Sequence, residues 1–245
     1  MSIPKIIHYC WFGRCALTPL SQKCIESWRR FFPNYDILEW NEDNFDVNII
    51  SYTSEAYKAG RFAFVSDYAR FWVLYRYGGV YFDTDVEVIK PLDDILEKGP
   101  FMGFEQLAPS LAVAPGLGLA AEPGMPLYKA ILERYEGMSF SLPNGSLSPH
   151  TMIPMVTALL KEKGLKGDGT IERIDGTNIY PPDWFNPFDD TTGRLLKTEN
   201  TRTIHWYAKS WMDADPAWKT GLKRLARRIF GKDCVAKLGK MVRKG

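Results

Sequence analysis

The chain has 245 residues with a formal net charge of +2, and 45% of them are hydrophobic. A chain of this size and composition can bury its own apolar core, which excludes a disordered protein and a small domain held together by disulfides. Its first residues lack the features of a signal peptide, and no apolar run approaches the roughly 20 residues of a membrane-spanning helix. We therefore expect a cytoplasmic protein with reduced cysteines.

Strand and helix patterns alternate along the chain. In chain order we predict a strand at 4–12, a helix at 21–32, a strand at 35–40, a helix at 63–77, a strand at 80–89, strands at 101–106 and 110–115, helices at 126–137 and 150–164, a loop at 180–193 and a strand beginning at 201. Ser21 is the predicted cap of the first helix, and Gly78 with Gly79 ends the second. This alternation is typical of an α/β domain with a largely parallel sheet.

The C-terminal stretch differs from the rest in charge. From Lys219 onward it holds ten Lys or Arg and one acidic residue, Asp233, whereas the preceding chain is mildly acidic. We predict a domain at 1–215 and a basic amphipathic helix at 216–245. One side of this helix would carry Leu222, Leu225, Ile229 and Phe230. Such a helix can lie on an anionic membrane or pack on the body; nucleic acid is disfavoured because the tail lacks interleaved aromatic residues.

Two carboxylates, Asp83 and Asp85, stand in the middle of the apolar run at 80–89. Side chains two apart on a strand point to the same side, so the pair must be solvated, share a proton or bind a divalent cation such as Mg²⁺ or Mn²⁺. Asp67 and Arg70 lie three residues apart, on one face of the predicted buried helix. A buried Asp–Arg pair beside a D-x-D is typical of a binding site.

The block "SDYARFWVLYRYGGVYFDTDVEV", residues 66–88, resembles the S-D-x-x-R…G-G-x-Y-x-D-x-D block of glycosyltransferase family 32. That family includes bacterial capsular polysaccharide transferases and the yeast initiating α-1,6-mannosyltransferase, and the clostridial glucosylating toxins carry a related block. The matching residues are Ser66, Asp67, Arg70, Leu74, Gly78, Gly79, Tyr81, Asp83 and Asp85. Further similar segments are "IPKIIHYCWFG", "SWRRFFPNYDILEWNEDNF" and "HWYAKSW", so the resemblance spans about residues 1–211. Gly124-Met125-Pro126 departs from the family's usual Gly-His-Pro.

The resemblance implies a GT-A fold with a mainly parallel central sheet flanked by helices. It also implies metal-dependent, retaining transfer of a hexose in surface polysaccharide synthesis. The donor would be a UDP-sugar, with GDP-mannose as the alternative, and the acceptor a glycan or a lipid-linked saccharide. An enzyme that uses a lipid-linked acceptor would work at the inner face of the membrane.

The resemblance also implies roles for individual side chains. Asp85 would bind Mn²⁺ or Mg²⁺ directly, with His205 as a third ligand. Asp83 would contact the ribose or reach the metal through water, because two residues about 7 Å apart along an ideal strand cannot both bind one ion directly unless the strand bends. The implied donor contacts are Trp11 to the nucleobase, Ser66, Asp67 and Arg70 to the sugar, Tyr81 to the ribose or sugar, and Ser210 and Trp211 to the diphosphate.

Several alternatives stay open from the sequence. Trp11 and His205 can be core residues, and Asp189 and Asp190 can be solvated, which we favour, or meet the acceptor. The run "VYFDTDVEV" also resembles the haloacid-dehalogenase phosphatase signature, in which the first Asp is the nucleophile; that signature normally closes a first strand, which Asp83 does not. A third alternative is a non-catalytic protein that binds a sugar nucleotide or a glycan.

Overall fold

The computed structural model describes residues 2–107, 110–141 and 152–208, together with Thr220, Arg224 and Arg227. The helices are α1 (Pro19–Phe31), α2 (Ser51–Lys58), α3 (Phe62–Tyr77), α4 (Asp93–Leu96), α5 (Pro126–Glu136), α6 (Met152–Glu162) and α7 (Pro182–Phe185). The strands are β1 (Ile6–Cys10), β2 (Asp36–Trp40), β3 (Gly79–Tyr81), β4 (Val86–Val88), β5 (Phe101–Leu107), β6 (Ser110–Val113), β7 (Leu119–Ala121), β8 (Glu172–Ile174), β9 (Thr177–Tyr180), β10 (Phe188–Asp189), β11 (Arg194–Leu195) and β12 (Thr203–His205).

The central sheet has the strand order β2-β1-β3-β7-β5-β9-β8, and β6 pairs with β5. Strands β2, β1, β3, β5 and β9 run in one direction, whereas β6, β7 and β8 run against them. Parallel strands need crossover connections: α1 connects β1 to its neighbour β2, and α2 with α3 connects β2 to β3 on the other side of β1. The predicted α/β domain with a mainly parallel sheet is confirmed, with antiparallel strands added to it.

Two apolar cores lie on the two faces of this sheet. Consecutive residues of β3 and the residue that follows it alternate between the two cores: Val80 and Phe82 enter one core, and Tyr81 enters the other. Helices α3, α5 and α6 contribute to the core that contains Tyr81, and α1, α4 and α7 to the core that contains Val80. The result is a layer of helices on each face of the sheet.

A second, two-stranded sheet lies beside the first. Strand β4 pairs with β12 in antiparallel fashion, with Val86 opposite His205. Side chains of helix α1 form hydrogen bonds with backbone groups of β4. The Val88 N–H donates to Ser27 Oγ over 2.9 Å, and Trp28 Nε1 donates to the Val86 carbonyl over 2.8 Å. Strand β4 is therefore held by the sheet partner and by the helix together.

Two predictions about local structure are wrong. Helix α1 is capped by Thr18, whose Oγ1 accepts the Ser21 N–H over 3.1 Å, because Pro19 supplies the first helical position. The predicted loop at 180–193 instead contains α7, β10 and the turn toward β11. By contrast, α3 ends where expected, with Gly78 at a φ of +64°.

The turn of the β10–β11 hairpin engages both of the acidic side chains that we expected to be solvated. Asp189 accepts hydrogen bonds from the hydroxyls of Thr191 and Thr192, which fold the turn. Asp190 forms an ion pair with Arg224, at 2.7 Å. These carboxylates therefore stabilise local structure, and the tail meets the hairpin at Arg224.

Most of the predicted tail, residues 216–245, lies outside the described residues, including its expected apolar side. Thr220, Arg224 and Arg227 are helical. The boundary between a domain at 1–215 and this tail stays a prediction. Among the helices in the described part of the chain, none combines the length and the apolar character needed to cross a bilayer.

Candidate active site

The chain turns where a continuous strand was predicted. Strand β3 ends at Tyr81 and β4 begins at Val86, and the Val86 N–H donates to the Asp83 carbonyl over 3.0 Å. We call residues 82–85 the D-x-D turn. The single strand at 80–89 is thus wrong, and the separation of about 7 Å derived from it does not apply. Because the two aspartates lie in a turn, their carboxylates can converge.

Three side chains converge at this turn. Asp83, Asp85 and His205 each offer a ligand atom, and these three atoms lie within 4.8 Å of one another. We call them the Asp–Asp–His cluster. The antiparallel pairing of β12 with β4 brings His205 here from far along the chain, with its Nε2 3.2 Å from Asp85 Oδ1. The structure thus brings His205 to both aspartates, and its role as a metal ligand stays a prediction.

The cluster has the chemistry of a site for a divalent cation. Carboxylate oxygens with one imidazole suit Mn²⁺ and, less well, Mg²⁺. Among the described residues, His205 Nδ1 is a buried nitrogen without a hydrogen-bond partner, an arrangement that native structures rarely leave without a function. The residues present fit the implied metal.

Asp85 and His205 shift each other's protonation. Burial raises the pKa of Asp85, but the His205 charge and the hydrogen bonds that Asp85 accepts outweigh it, so this pKa lies below its ordinary value. Burial lowers the pKa of His205, but Asp85 outweighs it and the pKa lies above its ordinary value. Without a cation, each group therefore favours the charged form of the other, imidazolium beside carboxylate. A cation must displace that proton in order to bind the ring.

Arg70 links the buried face of α3 to the D-x-D turn. Its guanidinium contacts both oxygens of Asp83, at 3.1 Å each, and Asp67 Oδ1 at 2.9 Å. Its side chain is 3% exposed, so this charge is held inside the protein. Tyr81 donates its hydroxyl to Asp83 Oδ1 over 3.1 Å. Arg70 and Tyr81 together fix the orientation of the Asp83 carboxylate.

Burial also shifts the protonation of the carboxylates that Arg70 contacts. Burial raises the pKa of Asp67 to about 6 even though Arg70 opposes this effect. Burial raises the pKa of Asp83 as well, again against Arg70. Loss of the Arg70 charge would therefore push both carboxyls toward the neutral form, which binds cations poorly.

Gly116 leaves room for the Asp83 carboxylate. It belongs to the short turn between β6 and β7, and a Cβ at this position would lie 2.5 Å from Asp83 Oδ2. Only a residue without a side chain allows this approach. Our sequence reasoning missed it, although the run "APGLGLA" carries the glycine signal of a close backbone approach.

Of the other predicted donor contacts, Trp11 lies at the sheet edge near the D-x-D turn, and Ser66 lies within helix α3. Trp11 follows β1, the parallel neighbour of β3, so it stands at the same edge of the sheet as the D-x-D turn. Its half-buried indole donates to the Cys15 carbonyl over 2.6 Å. The Ser66 hydroxyl donates to the Phe62 carbonyl inside α3, and the Ser66 carbonyl accepts from Arg70 Nε. Ser66 thus orients Arg70, and its contact with a donor stays a prediction.

The segment after β12 contributes residues that the sequence did not single out. The N–H of Ala208 donates to Asp85 Oδ2 over 2.7 Å, and the Tyr207 hydroxyl contacts Glu105 and Asn186. Glu105 is buried at the end of β5. A carboxylate inside the apolar run "FMGFEQ" is the same signal that drew attention to Asp83, and it would have found Glu105. The predicted diphosphate contacts Ser210 and Trp211 lie outside the described residues.

Comparison with known proteins agrees with the sequence motif. Residues 19–102 match the family model described as a glycosyltransferase sugar-binding region containing a DXD motif. This match covers α1 to the start of β5, including Asp67, Arg70 and the D-x-D turn, and confirms the resemblance to sugar transferases of this type.

Two curated relatives come from the fission yeast Schizosaccharomyces pombe. Inositol phosphoceramide mannosyltransferase 1 is 32% identical over 111 residues, which cover 41% of this chain and 33% of the yeast protein. Inositol phosphoceramide mannosyltransferase 3 is 28% identical over 106 residues, which cover 39% of this chain and 28% of that protein. The chain thus matches about a third of the length of these relatives.

A solved structure shares the fold. The crystal structure of a glycosyltransferase involved in the glycosylation of the major capsid of PBCV-1 aligns with a TM-score of 0.50 at 10% identity. The alignment covers 84% of this chain and 95% of that one. The architecture is the predicted GT-A type.

Proposed function

We propose that this protein is a metal-dependent glycosyltransferase that moves a hexose from a nucleotide-diphosphate sugar to a hydroxyl group of its acceptor. The observation that carries the proposal is the Asp–Asp–His cluster, whose ligand atoms come from two distant parts of the chain and lie within 4.8 Å of one another. The match of residues 19–102 to a DXD-containing sugar-binding region supports it.

The chain's own groups prepare the site. Asp83, Asp85 and His205 would hold Mn²⁺ or Mg²⁺, which neutralises the diphosphate that departs with the nucleotide. Arg70 and Tyr81 hold Asp83, and the Ala208 N–H holds Asp85. Trp11 is our candidate for stacking on the base, and its position at the same sheet edge as the D-x-D turn supports this role. Asp67 and Arg70 are our candidates for the sugar hydroxyls.

We propose retention of configuration at the transferred sugar. The bond from the anomeric carbon to the phosphate oxygen breaks, the acceptor oxygen attacks from the same face, and a phosphate oxygen takes the acceptor proton. Such a front-face reaction needs no carboxylate nucleophile on the opposite face of the sugar, unlike double displacement. An NMR assignment of the product anomer would test it, and an inverted anomer would contradict it.

Donor and acceptor are proposed at the level of chemical class. The motif resemblance favours a UDP-hexose, whereas the names of both yeast relatives favour a mannose donor such as GDP-mannose. The acceptor is a glycan or a lipid-linked saccharide, used in the synthesis of a surface polysaccharide such as a capsule.

One assay tests the enzyme class. The full chain is incubated with Mn²⁺ and a panel of UDP- and GDP-sugars, and nucleotide release is followed with and without acceptor. We expect release from one donor that EDTA abolishes and that Asp85→Asn lowers at least 100-fold. The matched control is Asp168→Asn, which changes an exposed aspartate bound to Thr170 and should leave the rate unchanged.

The assay also separates the two rival functions. A phosphohydrolase of the haloacid-dehalogenase type would release phosphate, and Asp83→Asn would abolish its turnover. The contacts of Asp83 with Arg70 and Tyr81 argue against a role as nucleophile, because they already occupy its carboxylate oxygens. A non-catalytic binder would bind one donor tightly without releasing nucleotide. Either result would overturn the transferase proposal.

We propose a cytoplasmic protein that lies peripherally on the inner face of a membrane through the 216–245 tail. The support is the tail's excess of basic residues. Co-sedimentation with liposomes should require anionic lipid and disappear when the residues after Pro216 are deleted. Binding that is indifferent to lipid charge would contradict an electrostatic anchor.

A further inference from the structure

The backbone after β12 is tied directly to Asp85. The N–H of Trp206 donates to the Asp85 carbonyl over 3.0 Å, and the N–H of Ala208 donates to Asp85 Oδ2 over 2.7 Å. His205 contacts the other carboxylate oxygen, Oδ1. Residues 205–208 therefore contact both carboxylate oxygens of Asp85 and also supply His205 to the Asp–Asp–His cluster. Whatever fixes this segment also fixes the cluster.

Tyr207 lies in the middle of this segment in an unusual conformation. Its φ is +50°, a left-handed backbone conformation that bulky residues rarely adopt because it is strained. Such a conformation persists only where surrounding contacts enforce it. The Tyr207 ring lies against His205, with 4.1 Å between ring centroids.

The contacts that enforce it come from two other elements. The Tyr207 hydroxyl lies 3.2 Å from Glu105 Oε2, at the end of β5, and 3.0 Å from Asn186 Oδ1, just after α7. Glu105 is 8% exposed, so its carboxylate is held inside the protein. We call Glu105, Tyr207 and Asn186 the tyrosine latch.

We propose that Tyr207 is a positioning residue, and that the tyrosine latch sets the affinity of the Asp–Asp–His cluster for a divalent cation. By holding the Tyr207 hydroxyl, the latch keeps the strained turn that places His205 and the Ala208 N–H against Asp85. Groups that orient metal ligands typically contribute 10–100-fold to metal affinity. The inference rests on the proposed function for the choice of Mn²⁺ as the ion.

The first test removes the hydroxyl. Tyr207→Phe keeps the ring against His205 and loses both polar contacts. In the full, metal-free chain, hydrogen exchange of the peptide spanning 203–208 should become at least tenfold faster, and EPR titration should show Mn²⁺ bound about 10-fold more weakly. The matched control is Tyr9→Phe in β1, which removes a Tyr hydroxyl that donates to Glu39 of β2 over 2.7 Å. This control should change neither the exchange rate of the 203–208 peptide nor the Mn²⁺ affinity.

The second test separates positioning from a loss of charge. Glu105→Gln keeps an oxygen that accepts from Tyr207, so Mn²⁺ affinity should stay within twofold of the wild type. Glu105→Ala removes this acceptor but leaves Asn186 Oδ1 beside the Tyr207 hydroxyl, so Mn²⁺ affinity should fall, by no more than in Tyr207→Phe. Melting temperatures of all variants identify any that fail to fold.

The outcomes distinguish this inference from the proposed function. If Tyr207→Phe shows the same hydrogen-exchange rate and Mn²⁺ affinity as the wild type, the proposed role of the latch is overturned, even if sugar transfer is observed. Faster exchange and weaker Mn²⁺ binding in that variant would support the latch even if no donor in the panel is turned over. Equal losses in Glu105→Gln and Glu105→Ala would show that the carboxylate charge matters rather than the hydrogen bond, and would also overturn it.

Discussion

His205 Nε2 lies 3.2 Å from Asp85 Oδ1; His205 ends β12, and Asp85 is the last residue of the D-x-D turn, immediately before the β4 strand that pairs with β12. The contact joins the late histidine segment to the D-x-D turn. It adds an imidazole to the pair of carboxylates, so binding of a cation at this cluster would be coupled to release of a proton.

Mn²⁺ affinity should rise with pH. The pKa of His205 is raised by Asp85 above its ordinary value of about 6.5, so the ring keeps its proton at and somewhat above that pH. Affinity should increase as pH rises through the raised pKa and then level off, with a proton released on binding. Isothermal titration in buffers of different ionisation enthalpy measures both effects. A pH-independent affinity would contradict the role of His205 as a ligand.

The metal-free protein should show the opposite trend in stability. Because the folded-state pKa of His205 is raised, the His205–Asp85 pair stabilises the fold fully below about pH 6.5, and this contribution is lost as pH rises through the raised value. The difference in unfolding free energy between the wild type and His205→Gln should therefore shrink from pH 6 to pH 9. Urea unfolding in EDTA measures it.

Replacing Arg70 should destabilise the protein strongly. Arg70→Met leaves Asp67 and Asp83 without their buried cation, and breaking a buried pair in this way costs about 3–5 kcal/mol. The loss should be smaller at pH 5, where Asp67, with a pKa of about 6, takes up a proton. Urea unfolding at both pH values tests this. The control Arg134→Met removes a surface pair with Glu162 and should cost less than about 1 kcal/mol.

Adding one methyl group at Gly116 should disturb the metal site. In Gly116→Ala the new Cβ would lie 2.5 Å from Asp83 Oδ2, and that carboxylate is held by Arg70 and Tyr81. We expect Asp83 to be displaced and Mn²⁺ affinity to fall about 10-fold or more. Gly137→Ala, where a Cβ meets no atom within 4 Å, is the control. Equal Mn²⁺ affinity in the two variants would mean that Asp83 does not bind the ion.

The Ser27 hydroxyl should contribute to holding β4. Ser27→Ala leaves the buried Val88 N–H without its acceptor, which costs about 1–3 kcal/mol. Ser54→Ala, at an exposed site where the hydroxyl bonds Asn48, should cost much less. Chemical unfolding of both variants gives the comparison, and a Ser27→Ala variant as stable as the wild type would argue that β4 is held by β12 alone.

Much of the fold could be read from local pattern. The apolar helix α3 ends at Gly78 because glycine adopts the positive φ found there without steric cost, and the alternation of strands and helices predicted the α/β class. The site residues Asp67, Arg70, Asp83 and Asp85 were found because charge in an apolar run is costly unless it has a partner. The match of residues 19–102 confirms the resemblance that these residues carry.

The sequence by itself determined the elements and the chemistry of the acidic pair, because periodicity, capping residues and motif spacing act within a few turns of the chain. Only the tertiary structure decided that Asp83 and Asp85 lie in a turn, that Gly116 borders one of them, and that Tyr207 meets Glu105. These relationships depend on which strands pair across the fold. The partners are distant in sequence, and local preference carries no information about that pairing.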